Sequence, residues 1–173
     1  MAYAVWLPPG YDRSRAWPCI VFLNGSGECG TDGLKQTWQG LGPALLAHPE
    51  RWPFVAVLPQ KPGADEEWEE REDLVFAALK VVQKSCNIDP ERIALAGISQ
   101  GGHGTWMIGA RHPGVWSCLA PVCGYGRART VSRLAAPGVG VPGTQGRCGG
   151  PARAAGDRRG PARTAAGGRA HGR

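Results

Sequence analysis

Apolar residues in this chain come in short runs, each closed by glycine, proline or polar residues, and the spacing inside the runs changes along the sequence. "YAVWLP", residues 3–8, alternates as a strand does and is stopped by Pro8-Pro9-Gly10. "CIVFLN", 19–24, is continuously apolar and rich in β-branched and aromatic residues, then breaks into the glycine-rich "GSGECGTDG". "FVAVLP", 54–59, "RIALAG", 92–97, and "CLAPVCG", 118–124, are runs of the same kind. Such runs fit strands covered on both faces. Between them, 34–47 reads as a helix interrupted near Gly40-Leu41-Gly42-Pro43. Residues 66–84 read as a longer helix with Leu74, Ala78 and Val81 on one stripe and Val75, Leu79 and Val82 beside it. Its first turns carry Glu66, Glu67, Glu69 and Glu70, where the helix dipole favours acids. Asn87 and Asp89-Pro90 are expected to end that unit, and 101–112 suits a helix with small residues on one side. Strands alternating with helices predict an α/β fold, a mostly parallel sheet flanked by helices.

Composition divides the chain in two. Residues 1–126 hold ten Lys and Arg against thirteen Asp and Glu, whereas 127–173 hold ten Arg against one acid, Asp157. The net charge of +6 therefore belongs to the second part. All seven Trp, three Tyr and three Phe lie at or before Tyr125. The rest is mostly Arg, Gly, Ala and Pro, with too little apolar surface to offset the entropy of ordering. The expected organisation is a folded unit over 1–126 and a disordered tail over 127–173. Arginines among glycines could bind phosphate backbones, but the tail has no aromatic residue to stack on bases, so nucleic acid is not the expected partner.

No run is long and apolar enough to span a bilayer, so no membrane partner is expected, and the opening "MAYAVWLPPGYD" does not read as a signal peptide. The six Cys show no C-x-x-C pair and no metal spacing, which predicts free, buried thiols and no metal. Both observations favour a cytoplasmic location. The abrupt start on a strand leaves room for an upstream piece.

One stretch carries chemistry. In "AGISQGG", 96–102, Ser99 stands between Gly97 and Gly101 as G-x-S-x-G, with a strand before it and a helix after it. That context is what a nucleophilic serine on a sharp turn requires. The glycines are expected to make room where side chains would collide with the neighbouring strand and helix. The helix N-terminus and the main-chain N–H of Gln100 would face a developing oxyanion. A second N–H is expected from Ser26 or Gly27 in Asn24-Gly25-Ser26-Gly27. A phosphate-binding reading of that loop is weaker, because G-x-G-x-x-G is absent and no Lys follows at P-loop spacing.

"LPPGYD", "IVFLNGSGECGTDG", "VLPQ", "NIDPERIALAGISQGGHGTW" and "ARHPGVWSCLAPVCG", in that order over about residues 2–126, resemble the α/β-hydrolase superfamily. The nearest group is the predicted peptidase and carboxylesterase branch, close to dienelactone-hydrolase-like and polyhydroxybutyrate-depolymerase-like esterases. The resemblance implies a serine esterase that needs no cofactor and acts on a small-molecule ester. Asn24 stands where members usually carry His, and Cys29 where a basic residue is common. Glu28 either braces the loop or is simply solvated.

In that fold the nucleophile is followed by an acid and then a histidine. After Ser99 the only acid is Asp157 and the only histidines are His103, His112 and His171. His103 is expected to face away from the Ser99 hydroxyl or merely line the pocket. His112 and His48 fit helix ends. Asp157 and His171, the remaining candidates for acid and base, lie in the arginine-rich tail with no strand end near either. A chain without these partners is expected to be impaired, a non-catalytic relative with its last strands missing. It could then associate through an exposed sheet edge.

The tail lacks Lys, Phe, Tyr, Trp, Ile and Met, as a shifted reading frame of GC-rich DNA would. Val139 to Gly150 can be encoded so that the frame one nucleotide later carries an acid-bearing strand and turn. The encoding DNA is expected to continue the family pattern in another frame, entered between about Arg133 and Val139. Nucleotide sequencing through codons 127–173 checks this, and the absence of such a frame refutes it.

Overall fold

Alternation along three central strands gives the molecule two apolar faces. The computed structural model describes residues 1–125. It contains β1 (Tyr3–Trp6), β2 (Trp17–Leu23), α1 (Leu41–Ala47), β3 (Val55–Pro59), α2 (Glu72–Ser85), β4 (Ile88–Ile98), α3 (Gln100–Arg111) and β5 (Cys118–Val122). The five strands form one sheet in the order β1-β3-β2-β4-β5. Only β1 is antiparallel to its neighbour, so the sheet is mostly parallel. Residues 126–173, on which the expectations of a disordered tail, Asp157 and His171 fall, lie outside the described residues.

Cys19, Val21 and Leu23 of β2, Val55 and Val57 of β3, and Ile93 and Leu95 of β4 point to one side. They pack there against Val75, Ala78, Leu79 and Val82 of α2 and Ile108 of α3. Phe22, Ala56, Leu58 and Ala96 point to the other side, against Leu45 of α1. This is the period-two pattern of strands buried on both faces. No helix among the described residues is long and apolar enough to cross a membrane.

Two boundaries differ from expectation. The helix expected over 66–84 begins at Glu72, and a separate 3₁₀ turn, Trp68–Glu70, precedes it. Trp68 is fully buried and its indole N–H donates to the carbonyl of Asn24 at 2.9 Å, which pins this turn before the helix can start. Glu67 and Glu70 close a capping box on the turn, and Glu72 and Asp73 are the acids of the helix's own first turn. Asp89-Pro90 does not end the preceding unit but lies inside β4. The register against β2 shifts between Trp17 and Cys19 there, and an irregularity is where a strand tolerates proline. The interruption expected within 34–47 falls at Gly40, φ +66°, which separates a 3₁₀ turn, Lys35–Thr37, from α1.

Of the described cysteines, Cys19, Cys29, Cys86 and Cys123 are free thiols, but only Cys19 is fully buried, and Cys123 is exposed. Burial, and to a lesser degree nearby Cys86, pushes the Cys19 thiol up to about 12. Iodoacetamide at pH 8.5 is therefore expected to modify Cys123 and spare Cys19 in the folded protein, read by peptide mass mapping. The stability that this neutral thiol contributes is present below pH 9.0, the ordinary thiol value, and is lost as pH rises towards about 12. Equal labelling of the two thiols would contradict the packing around β2.

Candidate active site

Ser99 stands between the end of β4 and the start of α3, with φ 55° and ψ −116°. Few non-glycine residues adopt such a left-handed backbone, and holding one there costs about 1–3 kcal/mol. Neighbours on both sides hold it. Its N–H donates to the carbonyl of Val122 in β5 at 2.9 Å, and its carbonyl accepts the N–H of His103 at 3.0 Å. The side chain is exposed.

The flanking glycines allow the close approach that this turn needs. A Cβ on Gly97 would lie 2.3 Å from the carbonyl oxygen of Gly101, and a Cβ on Gly101 would lie 2.1 Å from that of Leu23. Gly102 meets Gly124 in the same way, and Gly104 lets α3 rest on Trp68. The sequence expectation that these glycines prevent collision is met in atomic detail.

Gln100 opens α3. Its amide Nε2 donates to the carbonyls of Ala64 at 3.0 Å and Glu66 at 3.1 Å, and its Oε1 accepts from Lys61 Nζ at 2.8 Å. Lys61 is completely buried and also donates to the Glu66 carbonyl. The side chain of Gln100 thus locks the first turn of the helix. Among the described residues nothing accepts its main-chain N–H, which is free at a helix N-terminus.

Asn24, buried at the end of β2, organises the facing loop. Its Nδ2 donates to the Gly25 carbonyl at 2.6 Å, its Oδ1 accepts the N–H of Lys61 at 3.4 Å, and its carbonyl takes the indole N–H of Trp68. Asn24 therefore holds the loop through hydrogen bonds. Gly25 lies against Ser99: a Cβ there would be 3.6 Å from Ser99 Cβ and 2.9 Å from Glu28 Oε2. Ser26 and Gly27 lie beyond it in the exposed 3₁₀ turn Ser26–Glu28. The Cys29 thiol donates to the Gly25 carbonyl at 3.7 Å. Burial raises its pKa, and the Lys61 charge opposes the rise.

The described histidines are engaged away from the Ser99 hydroxyl. His103 is buried on α3, with Nδ1 2.6 Å from the Tyr125 carbonyl and Nε2 3.2 Å from Glu69 Oε1. His112 caps the C-terminus of α3 and places Nε2 3.2 Å from Glu72 Oε2. His48 ends α1 and is largely exposed near Glu50. Asp157 and His171 are outside the described residues. Sequence reasoning missed Lys61 and Trp68. A lysine straight after an apolar strand in "VLPQKPG" and a single tryptophan among acids in "EEWEE" were the available signals.

A family model, Prolyl oligopeptidase family, matches residues 64–132, from the turn before α2 through β5. Among solved structures, a thermostable esterase is 28% identical with a TM-score of 0.61, over 76% of this chain and 39% of its own. A ferulic acid esterase from Anaeromyces mucronatus is 20% identical with a TM-score of 0.50, over 68% of this chain and 50% of its own. An S-formylglutathione hydrolase from Staphylococcus aureus is 15% identical with a TM-score of 0.56, over 75% of this chain and 53% of its own. The chain thus spans between about two fifths and about half of the length of these relatives. With this sheet, and with such esterases and hydrolases for neighbours, the chain has the α/β-hydrolase fold.

Proposed function

We propose that this chain is a serine hydrolase of carboxylic esters in which Ser99 is the nucleophile. The observation that carries the reading is the conformation of Ser99. It is an exposed hydroxyl in a left-handed backbone, at the head of a helix whose first N–H has no acceptor among the described residues. In this reaction Ser99 Oγ attacks the acyl carbonyl, and its proton passes to a base. The N–H of Gln100 and an N–H of the Gly25-Ser26-Gly27 loop hold the oxyanion. The alcohol leaves with a proton, and water then releases the acid from the acyl-serine. No step calls for a metal or cofactor. Peptides are a second acyl class, supported by the match to the prolyl oligopeptidase family. We take 1–126 as the hydrolase unit and 127–173 as a separate tail.

The histidine positions favour a second reading, a non-catalytic relative. His103, His112 and His48 are each engaged elsewhere, and the tail offers only Asp157 and His171. Loss of the base costs on the order of 10⁶ in turnover where it has been measured, and an oxyanion hole alone retains about 10³ over water. The expected outcome with p-nitrophenyl acetate or butyrate is a slow release by the wild-type chain that Ser99→Ala abolishes. Added imidazole, a diffusible base, is expected to accelerate the wild type and leave Ser99→Ala unchanged. Equal rates for the two proteins would defeat the assignment of Ser99. A fast rate without imidazole would defeat the account of a missing base.

A further inference from the structure

We propose that Glu67, Glu69 and His103 bind a divalent metal cation, on the face of α3 where the Trp68–Glu70 turn packs. One ligand atom from each of the three residues lies within 4.8 Å of the other two. The side chains of His103 and Glu69 are only 8% and 12% exposed.

The hydrogen bonds of His103 demand a positive charge beside Nε2. Nδ1 sits 2.6 Å from the carbonyl oxygen of Tyr125, and the imidazole stacks on the Tyr125 ring at 4.3 Å and 15°. A carbonyl only accepts, so Nδ1 carries a proton. In the neutral ring the Nε2 lone pair then points at Glu69 Oε1, 3.2 Å away, lone pair against lone pair. A backbone carbonyl on one ring nitrogen and a free lone pair on the other is the arrangement of a metal-ligating histidine.

The carboxylates decide between a proton and a metal. Glu67 Oε1 accepts the Tyr125 hydroxyl at 2.5 Å. Glu67 Oε2 and Glu69 Oε2 are buried and have no hydrogen-bond partner among the described residues. Leaving a buried carboxylate oxygen without a partner is costly. An extra proton on Nε2 would settle the contact with Glu69 Oε1 and leave both Oε2 atoms as they are. Arg111 does not answer them, because it is engaged by the Glu69 carbonyl at 2.6 Å and Glu72 Oε2 at 3.4 Å. A divalent cation among the three side chains satisfies the imidazole lone pair and both carboxylates together. One imidazole nitrogen with two carboxylates suits zinc, manganese or iron(II). Ligand atoms about 2.0–2.2 Å from a metal are at most about 4.4 Å apart, so the three need to close by no more than a few tenths of an ångström. Such an ion would tie the Trp68–Glu70 turn to α3. Through the Tyr125 contacts it would also tie in the segment after β5.

Mn²⁺ is the probe, because it competes poorly for the free thiols. In a titration of the full chain followed by the electron paramagnetic resonance of free Mn²⁺, one ion per chain is expected to bind saturably. Glu69→Gln, Glu67→Gln and His103→Asn are each expected to weaken binding at least about tenfold. Glu50→Gln, an exposed carboxylate elsewhere, is expected to leave it unchanged. Mn²⁺ is also expected to raise the unfolding temperature of the wild type and not that of Glu69→Gln. If His103→Asn fails to fold, the two Gln variants decide. No saturable binding by the wild type, or the same affinity in every variant, would overturn the site and leave an imidazolium in its place.

Discussion

No side chain fits at position 101. The carbonyl of Leu23, at the end of β2, occupies the place where a Cβ would stand, and Gly97 on β4 meets Gly101 in the same way. That contact brings the ends of β2 and β4 and the first turn of α3 together without side chains between them. The rest of the site depends on it. With the backbone so close, Ser99 has nowhere to go but the left-handed conformation, and its neighbours hold it there with two main-chain hydrogen bonds. The strain is local, and the surrounding packing over-determines it.

Around this contact runs a buried polar network. The Lys61 ammonium is wholly removed from water, yet no carboxylate pairs with it among the described residues. It is solvated by one carbonyl and the amide oxygen of Gln100. Its own main-chain N–H reaches Asn24, and Asn24 in turn is tied to Trp68. A buried charge held only by dipoles is expensive unless each is correctly aimed, so the network constrains the loop and the helix start together. Asn24 and Gln100, on opposite sides of Ser99, are in this way fixed by the same lysine.

How much of this the sequence disclosed follows from the range of the forces involved. The strands were legible because burial on both faces writes an uninterrupted apolar run, and the turn at Ser99 because its glycines have a steric purpose. The break at Gly40 was legible for the same reason. The start of α2 was not, since the acids before it suit a helix and only the distant tie from Trp68 to Asn24 holds them out of one. Asp89-Pro90 looked like a terminator because local propensity cannot register a bulge opposite Trp17. Lys61, the Trp68 anchor and the gathering of Glu67, Glu69 and His103 are products of tertiary contact alone. Residues some 35 positions apart meet there with no periodicity to announce them. The bonds by which Asn24 holds its loop, to Gly25 and to Lys61, likewise depend on contacts that no local pattern announces.

β5 has a part beyond closing one side of the described sheet. Its Val122 carbonyl receives the N–H of Ser99, and just past it Gly124 nestles against Gly102 of α3. The strand therefore acts as a splint for the serine's backbone. Yet it is the most solvent-exposed of the parallel strands and, among the described residues, is paired along one side only. Loosening of this outer ribbon would relax the serine's posture without touching a single side chain around it, so the reactivity of the hydroxyl is coupled to the integrity of the sheet's margin.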